Sequence, residues 1–122
     1  MKRRAITLIL ILACLASAGS RLFAEGAKRS FIITNKSTFG IAEIAISPAG
    51  QDDWSDNFLG DDTLGKGEAA KLSFEESDPE ALYDLTIVDD EGDAHLFEGI
   101  PLAVIGKLTI ATEGGELTLK NK

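Results

Sequence analysis

The sequence predicts an all-β fold, an antiparallel β-sandwich of about seven strands with immunoglobulin-like or related topology. Three observations support this prediction. Short apolar segments recur at a spacing of roughly ten residues. Several of them alternate apolar and polar side chains, as a half-buried strand does, and clusters of Gly, Asn and Asp separate them. A small barrel is the alternative that the same pattern allows.

The first two strands precede a long connection. Residues 31–34 form a short apolar strand that ends at the turn residues 35–37. Residues 35–37 also match an N-glycosylation sequon, but we interpret Asn35 as a turn residue. Residues 39–47 form the second strand, and its apolar phase slips at residues 42–43, which predicts a bulge or burial on both faces.

The remaining strands follow this connection, at residues 70–75, 83–88, 95–97, 108–110 and 117–119. Residues 89–93 predict a solvated, acidic hairpin turn. Residues 100–106 predict a turn or an irregular crossing, because Pro101 has no N–H to donate to a central strand. The one helical signal lies at residues 78–82, where Asp78 would cap a single turn.

The N-terminus has the features of a bacterial secretory signal peptide. Three basic residues at positions 2–4 precede an apolar run that reaches Ala18, and small residues allow cleavage after Ala18 or Ala24. The run is shorter than the roughly 20 residues that span a bilayer, so we expect no transmembrane segment in the mature chain. These features predict a signal peptide over residues 1–24 and a single β-sandwich domain over residues 25–122, in the periplasm or secreted.

Cys14 offers an alternative, because its surroundings loosely resemble a lipobox. The residues after it stay apolar, whereas a lipoprotein turns polar there, which favours ordinary cleavage. The mature chain then has no cysteine, and therefore no disulfide and no thiol nucleophile.

The charge limits the class of partner. The chain carries 12 basic and 20 acidic residues, a net charge of −8. Cleavage after residue 24 would remove four basic residues and no acid, which moves the net charge to −12. Such a domain repels phosphate backbones and anionic lipid, so we exclude nucleic acid and expect a basic protein surface or a cation.

The connection from Ser47 to Glu68 is the candidate functional loop. It contains five aspartates, four glycines and the only tryptophan of the chain. One interpretation is that Trp54, Leu59 and Leu64 plug one end of the sandwich, with the aspartates as a solvated rim. The other is that the loop binds a partner, and the candidate contact residues are then Trp54, Asn57 and Phe58.

A calcium site is the alternative for the same loop. Calcium takes six to eight oxygen ligands. The candidate ligands are Asp52, Asp53, Asp56, Asp61 and Asp62. Their spacing does not match an EF-hand loop, so we expect no cofactor and keep calcium as the alternative.

The sequence offers little to support catalysis. His95 is the only histidine, so there is no histidine–cysteine pair and no histidine-rich zinc site. No G-x-S-x-G nucleophile elbow is present. We therefore expect a protein that is not an enzyme, with a small hydrolase as a remote alternative.

The loop carries the pattern S-P-x-G-x-x-x-W-x-x-N-x-L-G-x-D-x-L-x-x-G-E. It consists of Ser47, Pro48, Gly50, Trp54, Asn57, Leu59, Gly60, Asp62, Leu64, Gly67 and Glu68. With residues 82–85 it resembles a group of small secreted bacterial β-domains of uncharacterised function, over about residues 30–110. The resemblance implies an export signal and a compact β fold but no activity. Members often carry cysteines in the later strands, and this mature chain has none.

These observations predict a secreted, non-catalytic interaction module of the bacterial periplasm or cell surface. Its partner would be an unknown protein or cell-envelope component, bound through residues 47–68. The alternative is a calcium-binding, adhesion-type domain that uses the same acidic loop. Strand order and oligomeric state do not follow from the sequence.

Overall fold

The structure is a computed structural model, and it describes residues 27–121. The predicted signal peptide, with Cys14 inside it, lies outside the described residues. Among the described residues, none of the helical segments has the length and hydropathy needed to cross a bilayer.

Residues 27–121 contain seven strands and one short helix. They are β1 (Lys28–Asn35), β2 (Ile41–Pro48), β3 (Ala69–Glu75), β4 (Tyr83–Asp89), β5 (Ala94–Ile100), α1 (Leu102–Ile105), β6 (Lys107–Glu113) and β7 (Glu116–Lys120). Each predicted strand is present, although most extend further than the apolar pattern indicated.

The strands form two sheets, which confirms the predicted sandwich; the described residues do not close into a barrel. One sheet has the order β3-β1-β6-β7 and the other the order β2-β4-β5. Every neighbouring pair is antiparallel except β1 and β6, which run parallel. This strand order differs from that of an immunoglobulin constant domain, in which the first two strands are neighbours in one sheet. Here β1 and β2 lie in different sheets, so the sandwich has a related topology and not the immunoglobulin one.

The core lies between the two sheets and is built by alternation along each strand. In β1 and β3 every second side chain faces inward and is buried, which includes Phe31, Ile33, Leu72 and Phe74. The Phe74 ring packs edge-to-face against Phe31 in its own sheet, with centroids 6.1 Å apart, and against Tyr83 across the sandwich, at 5.2 Å. Each such side chain contributes about 1.5–3 kcal/mol by leaving water.

Two local features, a bulge in β2 and a capped turn at Asp78, were predicted correctly. The register of β2 against β4 shifts between Ile41 and Glu43, which is the predicted bulge. The Asp78 carboxylate accepts a hydrogen bond from the Glu80 N–H at 2.9 Å, which is the predicted cap, although the turn does not continue into a helix.

The crossing before β6 is a turn, as predicted, but the turn is helical. Residues 102–105 form the single helical turn α1. Leu102 at its start is fully buried in the core, and Gly106 ends it with a φ of +74°. The sequence pattern around Pro101 does not show that Leu102 is buried in the core.

Candidate functional site

The long loop covers the free edge of β2. Within residues 27–121, β2 is an edge strand, because β4 is its one strand partner. On its other side the loop supplies the partners. Ile41 and Leu64 exchange two backbone hydrogen bonds of 2.9 and 2.8 Å, and the N–H groups of Ser55 and Phe58 donate to the carbonyls of Ile46 and Ile44, both at 2.8 Å. The loop thus acts as an irregular additional strand.

Two side chains of the loop replace backbone groups in this pairing. The Ser55 hydroxyl accepts from the Ile46 N–H at 3.0 Å, and the Asn57 Oδ1 accepts from the Ile44 N–H at 3.0 Å. The oxygen and the nitrogen of the Asn57 side-chain amide each make two hydrogen bonds. Its Oδ1 also accepts from the Leu59 N–H, and its Nδ2 donates to the carbonyls of Ala42 and Gly60. Asn57, a candidate contact residue, therefore holds the loop on β2.

The apolar residues of the loop divide into two groups. Leu64 is 5% exposed and belongs to the core, and Phe58 and Leu59 are half-buried and pack against it. Trp54 is half-buried as well but is not part of this cluster. Its indole N–H donates to the Asp52 carboxylate at 2.6 Å, and Asp52 has a φ of +53°. Leu59 and Leu64 thus plug the sandwich as predicted, and Trp54 does not.

The aspartates of the loop do not assemble into a metal site within the described residues. Asp52 holds the indole, and the backbone N–H of Asp53 donates to the Ser47 hydroxyl at 2.8 Å. Asp56, Asp61 and Asp62 are exposed. Residues 27–121 contain no group of three or more His, Cys, Asp or Glu placed to hold a metal ion. The calcium hypothesis therefore stays a prediction that titration can test.

A buried carboxylate outside the loop, that of Asp84, connects the loop to the sheet beside it. Asp84 on β4 accepts hydrogen bonds from the Gly50 and Gly99 N–H groups, both at 3.1 Å, so it joins the first turn of the loop to β5. Sequence reasoning missed Asp84 because its position in the strand pattern is that of a solvent-facing residue. Its burial follows from the loop, which folds back over that end of the sheet.

Asn35 organises the connection from β1 to β2. It is 0% exposed; its Nδ2 donates to the carbonyls of Phe39 and Leu64, and its Oδ1 accepts from the N–H and the hydroxyl of Ser37. The amide that a glycan would need is therefore enclosed and hydrogen-bonded. Asn35 is the last residue of β1, rather than a turn residue as interpreted from the sequence, and its side chain holds the turn that follows.

The hairpin between β4 and β5 contains a carboxylate–imidazole pair. Asp89 is 2% exposed, so it is not part of a solvated tip as predicted. Its Oδ2 lies 2.9 Å from His95 Nε2, and its Oδ1 accepts from the N–H groups of Glu91 and Asp93. The hydrogen bond to His95, together with these backbone donors, holds the pKa of Asp89 below its ordinary value.

Tyr83 forms a second polar contact at the edge of the core. Its phenol donates to the Glu76 carboxylate. Burial raises the pKa of Tyr83 above its ordinary value, and the hydrogen bond and negative charge of Glu76 raise it further. Both effects keep the phenol neutral, and its hydrogen bond to Glu76 links β4 to the segment that follows β3.

A groove of about 420 Å³ runs between the long loop and β3. Its apolar lining includes Phe58 and Leu59 from the loop, and Ala70 and Leu72 from β3. Polar side chains also line it, among them Asp62, Glu68 and Lys71. The groove therefore presents both apolar and charged side chains at the surface.

The strand β3 presents unpaired backbone groups beside this groove. The Ile32 N–H donates to the Gly106 carbonyl at 2.9 Å, on the β6 side of β1. Ile32 and its register partner Lys71 therefore exchange no hydrogen bonds, since a residue of a strand directs its N–H and C=O to one side. The N–H and C=O of Lys71, and of Ser73 two residues later, thus point away from β1. Within residues 27–121 no strand pairs with that edge.

Comparisons with known proteins add only a shared fold. No family model matches the chain, and a search of curated proteins found no match. Among solved structures, the chain is similar to the NMR structure of a protein from Eubacterium rectale, with a TM-score of 0.53 and 15% sequence identity. The match covers 84% of this chain and 94% of that one. At this identity the likeness shows a common fold and carries no function.

Proposed function

We propose that this protein is a secreted, non-catalytic interaction module of the bacterial periplasm or cell surface. We further propose that it binds its partner at the groove between the long loop and β3. The groove is the observation that supports this most directly, because it offers half-buried apolar side chains next to charged ones.

The hydrogen bonds of the loop favour the groove over the loop tip as the contact surface. Asn57 and Ser55 hold the loop on β2, and Leu64 anchors it in the core. The loop side of the groove is therefore already in place before a partner arrives. A preformed surface loses little conformational entropy on binding, which raises the affinity that a given contact area provides.

The charge of the chain favours a basic partner. The net charge of −8 is that of the whole sequence, so it counts the basic residues of the proposed signal peptide. An acidic module speeds association with a basic surface and repels anionic polymers. The partner is thus expected to be a protein or envelope component with exposed Lys or Arg.

Site-specific photo-crosslinking tests this proposal. A photoreactive amino acid is placed at Thr63, which is exposed and lines the groove, and in a control at Val104, which is 62% exposed on α1. We expect the protein in its own cell envelope to crosslink to one partner from Thr63 and not from Val104. Equal labelling from both positions, or none from Thr63, would contradict the proposal.

The export step has a separate measurement. The intact mass of the protein from the extracytoplasmic fraction should show cleavage after Ala18 or Ala24. Recovery of the uncleaved chain in the cytoplasm would contradict the proposed compartment.

A further inference from the structure

We infer that the groove receives an extended peptide segment of the partner, which adds to β3 as a further strand. This inference rests on the proposed function, since it names the kind of partner that the same groove accepts. Strand addition to an exposed sheet edge is a common mode of peptide recognition, in which main-chain hydrogen bonds supply affinity and side-chain pockets supply specificity.

The fold covers the edge of β2 but leaves the edge of β3 beside the groove uncovered within residues 27–121. The edge of β2 is covered by the loop, with Asn57 and Ser55 satisfying its backbone. The edge of β3 has no such cover within residues 27–121. Lys71 and Ser73 each direct one N–H and one C=O toward this side, in the spacing that an additional strand requires.

The groove lining sets the side-chain pattern of the segment. Alternate side chains of an added strand point to the same face, so every second one would enter the groove. The half-buried side chains of Phe58, Leu59 and Ala70 call for apolar residues at these positions. Asp62 and Glu68 lie at the same groove, so a Lys or Arg at the adjoining end of the segment would be attracted.

Lys71 argues against a second copy of this chain as the occupant. Lysine on an edge strand opposes the pairing of two identical edges, because it places like charges close together. Lys71 makes no ion pair with any of the described residues, so its charge is not neutralised locally. The occupant is therefore a different chain, with neutral or acidic residues opposite Lys71.

Selection from a peptide library tests the mode of binding. Random peptides of about ten residues, the length of a long strand, are selected against the processed protein. Ser73→Pro removes the outward N–H without breaking a hydrogen bond between β1 and β3, and proline is tolerated on edge strands. Ser73→Ala keeps the N–H and is the matched control. Circular dichroism and thermal unfolding verify that both variants are folded.

The expected result has three parts. Selected peptides carry apolar residues at every second position. Ser73→Pro weakens their binding at least tenfold, equivalent to about 1.4 kcal/mol, whereas Ser73→Ala stays within about twofold. Peptide binding also slows hydrogen exchange of the Lys71 and Ser73 amides in NMR spectra, because both become hydrogen-bonded.

The inference is overturned if no peptide is selected, if selected peptides lack the alternation, if Ser73→Pro binds them as well as wild type, or if neither amide becomes protected. These failures can be separated from failure of the proposed function. If Thr63 still crosslinks to a partner, the groove is a contact surface and only strand addition is wrong. If that crosslink is missing too, the groove is not the binding site.

Discussion

Replacing Asn57 with alanine should lower the free energy of unfolding by about 3 kcal/mol, because this side chain attaches the long loop to β2. The Ile44 N–H would lose its acceptor, and Ile44 is 0% exposed. An unsatisfied buried donor costs about 1–3 kcal/mol. The bonds to Leu59, Ala42 and Gly60 lie nearer the surface, and together they add on the order of 1 kcal/mol.

Urea unfolding followed by far-UV circular dichroism measures this loss. In a domain of this size, each kcal/mol corresponds to about 4–8 °C in Tm, so the melting temperature should fall on the order of 15 °C. Ser55→Ala removes the acceptor of the Ile46 N–H by the same mechanism and should cost about 1–2 kcal/mol. Asp61→Ala is the control, because this exposed residue lies in the same loop and should change stability by less than about 0.5 kcal/mol.

The reasoning would be refuted if Asn57→Ala were as stable as Asp61→Ala. The loop would then be held by its apolar anchors alone, and the hydrogen bonds to β2 would contribute nothing beyond those to water.

Three further predictions concern the tryptophan, the metal hypothesis and pH. Trp54→Ala should cost about 1–2 kcal/mol in urea unfolding, because the indole is half-buried and outside the core; a loss of about 3–5 kcal/mol would indicate a core position. Millimolar calcium should leave the Tm unchanged relative to EDTA, since the described carboxylates do not converge; a rise that EDTA reverses would establish the calcium site. Because the folded-state pKa of Asp89 is lowered, its stabilisation is present above the unfolded value of about 3.9 and is lost as the pH falls through the folded one. Unfolding free energy should therefore fall more steeply below pH 4 in wild type than in Asp89→Asn, and equal slopes would contradict this.

The positions of the strands and turns were predictable because their signals are local. Alternation in β3 and the apolar phase slip in β2 are set by neighbouring residues, and both appear in the structure. The hairpin after Asp89 was equally clear, since it depends on a few turn residues in a row. The helical form of the turn before β6 was not predicted, because Leu102 is buried by contacts with strands that are distant in the sequence.

The candidate site was only partly predictable. The sequence marked residues 47–68 as unusual and offered Asn57 as a candidate contact residue, but it did not show that the Asn57 side chain pairs with the backbone of β2. The groove itself depends on β3, which the sequence placed as an ordinary half-buried strand. Nothing in the local pattern shows which side of β3 lacks a partner.

The sequence by itself determined the all-β class, the location of the strands and the acidic charge, because each depends on composition or on short-range periodicity. Tertiary structure alone decided that β1 runs beside β6 and that the loop closes the edge of β2. It also decided that, among residues 27–121, no strand pairs with the edge of β3 beside the groove. These features arise where segments far apart in the chain compete to satisfy the same backbone hydrogen bonds. The acidic, tryptophan-containing loop is therefore mainly a structural cover, and the surface it helps to form lies at its border with β3.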